Sequence, residues 1–356
     1  MIDRSKYNAS LFAVGFAALT LGGCQGGSPG ALSTPFGRQA ADARRAVSHS
    51  YVPACPCAYV ANQVGSSGTA GEITIYPSAA TGNYSPGANT ITGSVTNLDD
   101  PAGIAVDSTN KIFVANEGGA SGIGSVTTYA PGSAGNVAPL QTIAGPATGL
   151  MSSSGVAVNP GNGDIFVTNR SGSVTVFAPT ANGNATPIRT ISGTNTQLSG
   201  PFGIAVGNSK IFVANSTSSA VTVYPLSANG NVAPSQVISG PATGISGGAF
   251  GVAWRQNGKI YVTSGANNVT IFPNGANGNV APLKSISGSA TQLNRPVGIS
   301  VAAVGRIWVT NISSPYSVTA YRRFAVLAPG NNNIPPIRNI TGGNTQLNVP
   351  LGIAIR

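Results

Sequence analysis

Acidic side chains, which could hold a cation or transfer protons, are rare in this 356-residue chain and unevenly placed. Residues 58–125 carry a net charge of −4, from five acids and Lys111. Residues 126–356 carry +11, from twelve Lys or Arg and the single acid Asp164. Carboxylate chemistry is therefore concentrated in one stretch, at Glu72, Asp99, Asp100, Asp107 and Glu117.

Asp99, Asp100 and Glu117 are the candidates for a shared site, because the repeat pattern described below places their loops on one face of the molecule. Carboxylate oxygens suit a hard cation such as Ca²⁺, and they would also take a basic group of a partner. Asp99-Asp100-Pro101 could instead be only a turn, since Asp before Pro is common turn chemistry. Asp107 is expected on the opposite face.

Few other side chains in the sequence could take part in catalysis. The only histidine is His49, which precedes the repeats, so no imidazole is available there as a general base. No Ser-His-Asp set can be assembled, and the glycines follow the repeat rather than a phosphate-binding loop. Cys55 and Cys57 flank Pro56. An intrachain disulfide or inert thiols are favoured for them, with metal binding, intermolecular pairing and redox use left open.

The N-terminus has the pattern of an export signal. Arg4 and Lys6 precede an apolar run, residues 11–21, that is too short to span a bilayer. The run ends Leu21-Gly22-Gly23-Cys24, which resembles the bacterial lipoprotein signal, in which the cysteine is lipidated. This resemblance implies a signal peptide over residues 1–23 and lipidation of Cys24. It also implies an address in the bacterial cell envelope, at the outer membrane because no Asp follows the cysteine.

The low charge of the rest indicates a β-rich, turn-rich protein. Only 7% of the residues are charged, against roughly 25% in ordinary soluble proteins, while Gly and Pro number 48 and 25. Residues 24–50 are rich in Gly, Ser and Ala and are predicted to be a flexible tether. Residues 51–356 form the predicted folded domain.

One unit repeats six times in that domain. A Gly-(Ile/Val)-(Ala/Ser) motif begins the unit, and a run such as Ile211-Phe212-Val213-Ala214, apolar at successive positions, follows it. An alternating strand and a short fourth strand complete each unit. Four short strands per unit of about 48 residues are typical of a propeller blade. The motif starts at Gly103, Gly155, Gly203, Gly251, Gly298 and Gly352.

The ends of the domain predict how the ring closes. The first unit lacks a first strand, and the chain finishes with an orphan one, Gly352-Ile353-Ala354-Ile355. Pairing them removes an open sheet edge. The prediction is therefore an all-β, six-bladed propeller of four-stranded antiparallel blades, closed by three N-terminal strands plus one C-terminal strand. An alternative is that residues 51–54 supply the missing strand.

Two further patterns have more than one interpretation. The Asn-Gly within Ala228-Asn229-Gly230-Asn231 predicts a hairpin turn between the third and fourth strands. The Asn at the end of each second strand could line the mouth of the central channel as a polar ring, or could satisfy backbone groups at its own turn. That position holds Asn62, Asn116, Asn169, Asn215 and Asn311, with Ser264 as the exception.

The repeats resemble the NHL family of six-bladed propellers through residues 201–206, 210–215 and 220–224, which read PFGIAV, KIFVAN and AVTVY. The resemblance covers nearly everything after residue 51. It implies the fold and leaves the activity open, because such propellers include binding and enzymatic members. The family often has Asp where this chain ends its second strand in Asn.

Taken together, the residues favour an envelope-anchored, non-catalytic binding or scaffold propeller whose partner is a protein or a glycan, and which is a monomer. The alternative is a metal-assisted lactonase or hydrolase like the gluconolactonases, with Asp99, Asn116 and Glu117 near the channel. The basic surplus begins the second strands at Lys111, Lys210, Lys259 and Arg306. Anionic lipid or acidic glycan suits these basic residues better than nucleic acid, because an exported protein rarely meets nucleic acid and the sequence predicts no helix that could read bases.

Overall fold

The computed structural model describes residues 57–65 and 71–356. The predicted signal peptide, residues 1–23, lies outside the described residues. So do the predicted tether, with Cys24 and His49, and Cys55. Cys57 is disulfide-bonded. The described chain forms six sheets around one axis, each with four antiparallel strands, and one sheet gains a fifth strand that pairs in parallel. This confirms the all-β, six-bladed propeller.

The blades are numbered along the chain, and strands one to four of each blade run from the axis outward. Blade 1 contains β25 (Pro350–Ile355), β1 (Cys57–Asn62), β2 (Glu72–Pro77) and β3 (Thr90–Ile91). Blade 2 contains β4 (Pro101–Val106), β5 (Ile112–Asn116), β6 (Ser125–Tyr129) and β7 (Gln141–Ile143). Blade 3 contains β8 (Ser153–Val158), β9 (Ile165–Asn169), β10 (Ser173–Phe177) and β11 (Arg189–Ser192).

Blades 4 to 6 continue the pattern, with one added strand. Blade 4 contains β12 (Pro201–Gly207), β13 (Lys210–Asn215), β14 (Ala220–Pro225) and β15 (Gln236–Ile238). Blade 5 contains β16 (Ala249–Arg255), β17 (Lys259–Ser264), β18 (Asn268–Pro273), β19 (Lys284–Ser287) and the extra β23 (Gly330–Asn332). Blade 6 contains β20 (Pro296–Val301), β21 (Ile307–Asn311), β22 (Ser317–Tyr321) and β24 (Arg338–Thr341).

Short 3₁₀ helices are the other regular elements of the described chain. Most of them follow a fourth strand. None of the described helices is long and apolar enough to cross a membrane. Their bounds are Gly119–Ser121, Pro146–Thr148, Thr194–Thr196, Pro241–Thr243, Ser289–Thr291, Phe324–Val326 and Gly343–Thr345.

The ring closes as predicted. β25 pairs antiparallel with β1, with Val60 opposite Ile353 and Ala58 opposite Ile355. The place of strand one in blade 1 is therefore taken by the C-terminus, so the alternative in which residues 51–54 fill it is wrong. Pairing two ends of the chain in one sheet leaves blade 1 with its full set of four strands.

The second strands are buried on both faces because each blade is sandwiched between its neighbours. Every residue of β1 is buried. Tyr59 and Ala61 pack in the cluster shared with blade 2, while Ala58 and Val60 pack in the cluster shared with blade 6. The successive apolar positions seen in the sequence are thus explained by two cores, one on each side of the sheet.

The glycine of the repeat motif lets six first strands converge. A Cβ at Gly203 would lie 2.5 Å from Phe250 O in the next blade, and one at Gly298 would lie 2.3 Å from Leu351 O. A side chain at either position would collide with neighbouring backbone. The motif therefore exists for the approach of strands at the axis, and not for a phosphate.

Neighbouring blades are joined by the Asn-Gly segments, which corrects the hairpin prediction. Ten residues, 226–235, connect β14 to β15, and their Asn-Gly bonds to blade 3 instead of forming a two-residue turn. Gly230 N donates to Thr190 O at 2.7 Å, and Asn231 Oδ1 accepts from Asn195 N at 2.7 Å. Positive φ at Gly230, 73°, presents the backbone to the neighbouring strand. In blade 6 this connection is longer, and its segment β23 becomes a fifth strand beside β19.

Candidate functional site

The six ring positions at the ends of the second strands hold the loops of the propeller together. Asn116 Oδ1 accepts from Asp99 N at 3.2 Å, and Asn116 Nδ2 donates to Ser125 Oγ at 3.2 Å and Thr127 Oγ1 at 3.3 Å. The five asparagines are fully buried. Ser264 differs, since its hydroxyl bonds Asn268, which reaches Gly244 O. Asn116 therefore satisfies a backbone amide of the preceding loop and two hydroxyls of β6, which corrects the expectation of backbone partners at its own turn.

Asp99, Asp100 and Glu117 meet through their backbones. Glu117 N donates to Asp100 O at 3.0 Å, and Gly118 N donates to Asp99 O at 3.2 Å. These bonds join the connection before β4 to the segment after β5 within blade 2. Both segments lie on the loop face, which is the face that carries the strand-four-to-one and strand-two-to-three loops.

The Glu117 carboxylate is engaged by the chain itself. Only 2% of Glu117 is exposed. Arg170 Nη1 lies 3.4 Å from Glu117 Oε1, and Gln63 Nε2 donates to Glu117 Oε2 at 3.4 Å. The Arg170 guanidinium lies over the Phe202 ring, 4.7 Å from its centroid. Glu117 therefore links three blades at the loop face, with Arg170 as its counter-charge.

The backbone at Asp100 follows the repeat. Asp100 has φ of 52°, and the equivalent turn residues Gly200, Arg295 and Val349 have φ of 59°, 51° and 52°. Residues of four different types thus occupy the same left-handed position. A Cβ at Gly119 would lie 2.9 Å from Asp99 Oδ1, so the Asp99 carboxylate lies against this glycine. The turn geometry of Asp99-Asp100-Pro101 needs no bound cation.

Metal ligands do not gather in the described part of the chain, at Asp99, Asp100 and Glu117 or elsewhere. Among residues 57–65 and 71–356, no group of three or more His, Cys, Asp or Glu side chains is arranged to hold a metal ion. The cation hypothesis for Asp99, Asp100 and Glu117 therefore stays a prediction.

The central channel is apolar at its loop-face end. Ala102, Phe202, Val297 and Leu351 form a buried cluster there, with Phe250 packed against it. Farther along the axis the first strands line a space of about 240 Å³, whose only polar side chain is Ser300. The described lining of the channel therefore offers no ionisable side chain to a substrate.

A larger cavity, of about 620 Å³, lies on the face of the ring opposite the loop face. It is formed at the junction of blades 6 and 1, on the turn face, which carries the strand-one-to-two turns and the strand-three-to-four connections. We call it the arginine cavity, because its lining includes Arg306, Arg322, Arg323, Arg338 and Arg356.

The propeller fold is shared with solved structures. A chain of a nidogen/laminin complex matches with a TM-score of 0.55 at 12% identity, over 84% of this chain and 98% of its own. Two putative 6-phosphogluconolactonases match with TM-scores of 0.53 and 0.55. The one from Bacteroides fragilis is 13% identical and covers 84% of this chain and 97% of its own. The one from Bacteroides uniformis is 14% identical and covers 85% of each chain.

At these identities the likeness establishes the fold alone. No family model matches the sequence, and no curated protein is found as its relative. The resemblance to NHL repeats therefore stays a prediction.

The sequence predicted the acidic residues and missed the arginine cavity. The five arginines are spread over 51 positions, 306–356, in four separate turns or strand ends, so that no local motif marks them. The available signal was the excess of +11 in residues 126–356 and the basic residue before each of several second strands. Arg306 was in that set, and its four companions were not.

Proposed function

We propose that the protein is a non-catalytic binding or scaffold propeller, anchored to the bacterial cell envelope through a lipid on Cys24. The observation that supports a binding function is the apolar closure of the channel by Phe202, Val297 and Leu351. A ring whose axis is filled in this way offers its faces and rim to other molecules. A protein or glycan partner would bind one of those surfaces.

The binding proposal is tested on the full chain extracted from membranes. We expect a molecule to co-elute with the purified protein, which should itself run as a monomer in size-exclusion chromatography. The competing proposal is a metal-assisted lactonase of the gluconolactonase-like class. A lactone-hydrolysis screen together with metal analysis of the natively purified protein separates the two. Lactone turnover that depends on a bound divalent metal would overturn the binding proposal.

The anchoring proposal has its own test. Cells fed an alkyne-labelled fatty acid should label the wild-type chain and leave the Cys24→Ala chain unlabelled. The wild-type protein should sediment with outer membranes, because one lipid chain plus the protein's basic surface gives stable attachment. Equal labelling of both chains, or wild-type protein in the soluble fraction, would contradict anchoring and leave the binding proposal unaffected.

The Ca²⁺ proposal concerns Asp99, Asp100 and Glu117. Oxygen ligands favour a hard cation, and the three residues belong to loops joined by backbone bonds. Calorimetric titration of Ca²⁺ into the wild-type chain and into an Asp99→Asn/Asp100→Asn chain decides it. Heat that is absent, or that is unchanged in the variant, would remove the site.

A further inference from the structure

The arginine cavity concentrates positive charge, and no acidic side chain lines it. Its lining contains five arginines and no Asp or Glu. The ion pairs found among the described residues join Arg170 to Glu117 and Arg189 to Asp164, neither of which involves the cavity. The sequence that leads into Cys57 has no acid over residues 43–56. An anionic ligand would supply the counter-charge that the described lining lacks.

Arg338 differs from the residues that occupy its position in blades 2 to 5. There the first residue of strand four reaches a carbonyl in the next blade, as when Gln141 Nε2 donates to Ala181 O at 3.2 Å. Gln236 donates to Ala276 O at 2.9 Å in the same way, and Lys284 donates to Phe324 O at 2.8 Å. These contacts act as struts between blades.

Arg189 also makes such a strut, whereas Arg338 does not. Arg189 Nη1 donates to Ala228 O at 3.4 Å in the next blade. In the described structure Arg338 Nη1 donates to the adjacent Ile337 O at 2.8 Å, and its Nε is buried with no hydrogen-bond partner. A buried guanidinium donor without an acceptor is costly, so a ligand that supplies an acceptor would be bound favourably.

The cavity also has an apolar side. Trp308 and Ile337 contribute to its wall, and two valines in the lining are largely exposed, Val304 at 66% and Val326 at 52%. Exposed apolar side chains beside arginines suit a ligand with an apolar body and an anionic group. The volume of about 620 Å³ falls within the range of small-molecule sites.

Two of the five arginines belong to the inserted connection of blade 6. Arg322 and Arg323 begin this connection, and its later segment β23 pairs with β19 of blade 5. Phe324 lies under the Lys284 ammonium, 4.2 Å from the ring centroid. On the other side, Arg356 Nε donates to Asn110 Oδ1 at 3.0 Å, and its Nη2 donates to Ser108 O at 2.8 Å. The site is therefore built before any ligand arrives.

We propose that the arginine cavity binds a phosphate-bearing ligand with an apolar body. Guanidinium groups match phosphate oxygens with paired hydrogen bonds. A phosphate monoester carries about two negative charges, whereas a carboxylate carries one. The inference rests on the proposed binding function and names the ligand class. The ligand is either the headgroup region of an anionic lipid or a soluble phosphate ester.

The cavity lies beside the point where the described chain enters the ring, since Cys57 donates its N–H to Arg356 O at 2.8 Å.

The test uses the full chain carrying Cys24→Ala, so that binding does not depend on lipidation. Phenyl phosphate is titrated by calorimetry, with phenol as the uncharged control. One phenyl phosphate should bind per chain, and Arg322→Gln/Arg338→Gln should weaken binding by about tenfold or more, because charge-assisted hydrogen bonds are lost. The matched variant Lys111→Gln/Arg295→Gln removes the same charge elsewhere and should bind as the parent does.

A second arm distinguishes the two sources of phosphate. Co-sedimentation is measured with vesicles of phosphatidylcholine alone and with vesicles that also contain phosphatidic acid. Retention by phosphatidic acid that the arginine double variant loses identifies a lipid headgroup. Binding of phenyl phosphate without vesicle retention identifies a soluble phosphate ester.

Three results would overturn the assignment: no phosphate probe binds, phenol binds equally well, or both double variants lose binding to the same extent. Thermal unfolding of each variant establishes that it is folded. If no phosphate probe binds while a partner co-purifies with the parent and with the arginine double variant alike, the proposed binding function stands and the cavity assignment alone fails.

Discussion

The loop face at blade 2 and the arginine cavity at the junction of blades 6 and 1 both gather charge, but they treat it differently. Glu117 on the loop face is 2% exposed and meets Arg170 and Gln63 from its own chain. Arg338 in the cavity has a buried Nε with no acceptor among the described residues. A charge satisfied within the fold stabilises it, whereas a charge left without a partner is available to a ligand.

The same contrast holds between two residues at one repeat position. Arg189 and Arg338 both begin a fourth strand. Arg189 bonds the next blade and lies 3.5 Å from the Asp164 carboxylate. Arg338 has neither contact, because blade 6 has Arg306 before its second strand where blade 3 has Asp164, and no carbonyl of blade 1 accepts from Arg338 among the described residues. A repeat protein therefore shows its specialised site as a departure from contacts that the other blades repeat.

The largest expected effect is on the loop face. Glu117→Ala should lower the free energy of unfolding by about 2 to 3 kcal/mol, because it leaves the Arg170 guanidinium without its counter-charge. The value falls below that of a fully buried pair since the Arg170 side chain is 29% exposed. Urea unfolding measures it, with Glu117→Gln as a control that keeps an acceptor for Gln63. A loss under about 0.5 kcal/mol would show that the pair is not structural.

The next largest effect concerns the buried tyrosines, which are found in both regions. Tyr129 in blade 2 and Tyr321 in blade 6 donate to Thr96 O and Thr291 O, and burial raises the pKa of Tyr129 to about 12 and that of Tyr321 above its usual range. The stability that this contributes is complete below pH 10 and is lost as pH rises toward the folded pKa. About 1 kcal/mol per tyrosine should disappear by pH 11.

Urea unfolding at pH 8 and pH 11 measures this loss. Tyr129→Phe should start about 1 kcal/mol less stable at pH 8 because its hydrogen bond is missing, and should fall less steeply in alkali. An unchanged alkaline slope in this variant would contradict burial as the cause.

The arginine cavity should behave in the opposite way to Glu117. Arg322→Gln/Arg338→Gln should leave the free energy of unfolding unchanged or raise it by about 0.5 kcal/mol at low salt, because repulsion between the arginines is relieved. Added phosphate should raise the Tm of the wild-type chain more than that of the variant. A destabilisation above about 1 kcal/mol would mean that the arginines hold the blades together, which would erase the contrast with the loop face.

The smallest effect is expected at Asp99 and Asp100. Asp99→Asn/Asp100→Asn should change the free energy of unfolding by less than about 0.5 kcal/mol, because Asn tolerates the left-handed conformation that Asp100 adopts at φ of 52°. A loss comparable to that of Glu117→Ala would instead make the acidic segment a structural unit. Thermal unfolding in the presence and absence of Ca²⁺ provides the measurement.

Most of the fold could be predicted from the sequence, because a repeat shows the same physical constraint six times. The apolar run Ile211-Phe212-Val213-Ala214 lies in β13, and the segment 220–224 lies in β14. The orphan strand Gly352-Ile353-Ala354-Ile355 predicted the closure that β25 makes. β23 was missed, since Gly330, Asn331 and Asn332 have no apolar alternation and pair only because blade 5 presents an edge.

The candidate sites were harder to predict because they depend on contacts between blades. Glu117 and Arg170 are 53 residues apart, and only the stacking of blades 2 and 3 brings them within 3.4 Å. The burial of Asn116 could be argued from its turn. The absence of a hydrogen bond from Arg338 to the next blade could not be predicted from the sequence. It is visible only when its contacts are compared with those of Arg189, Gln236 and Lys284.

The pairing of β25 with β1 also sets an order in time. Val60 belongs to the first strand of the described chain to be synthesised and Ile353 to the last, yet they are partners in one sheet. Blade 1 therefore keeps one edge of β1 open until β25 has been synthesised. Such distant pairing slows folding, and the open edge is exposed to aggregation or to a chaperone. The strand Pro350–Ile355 decides when the chain becomes a ring.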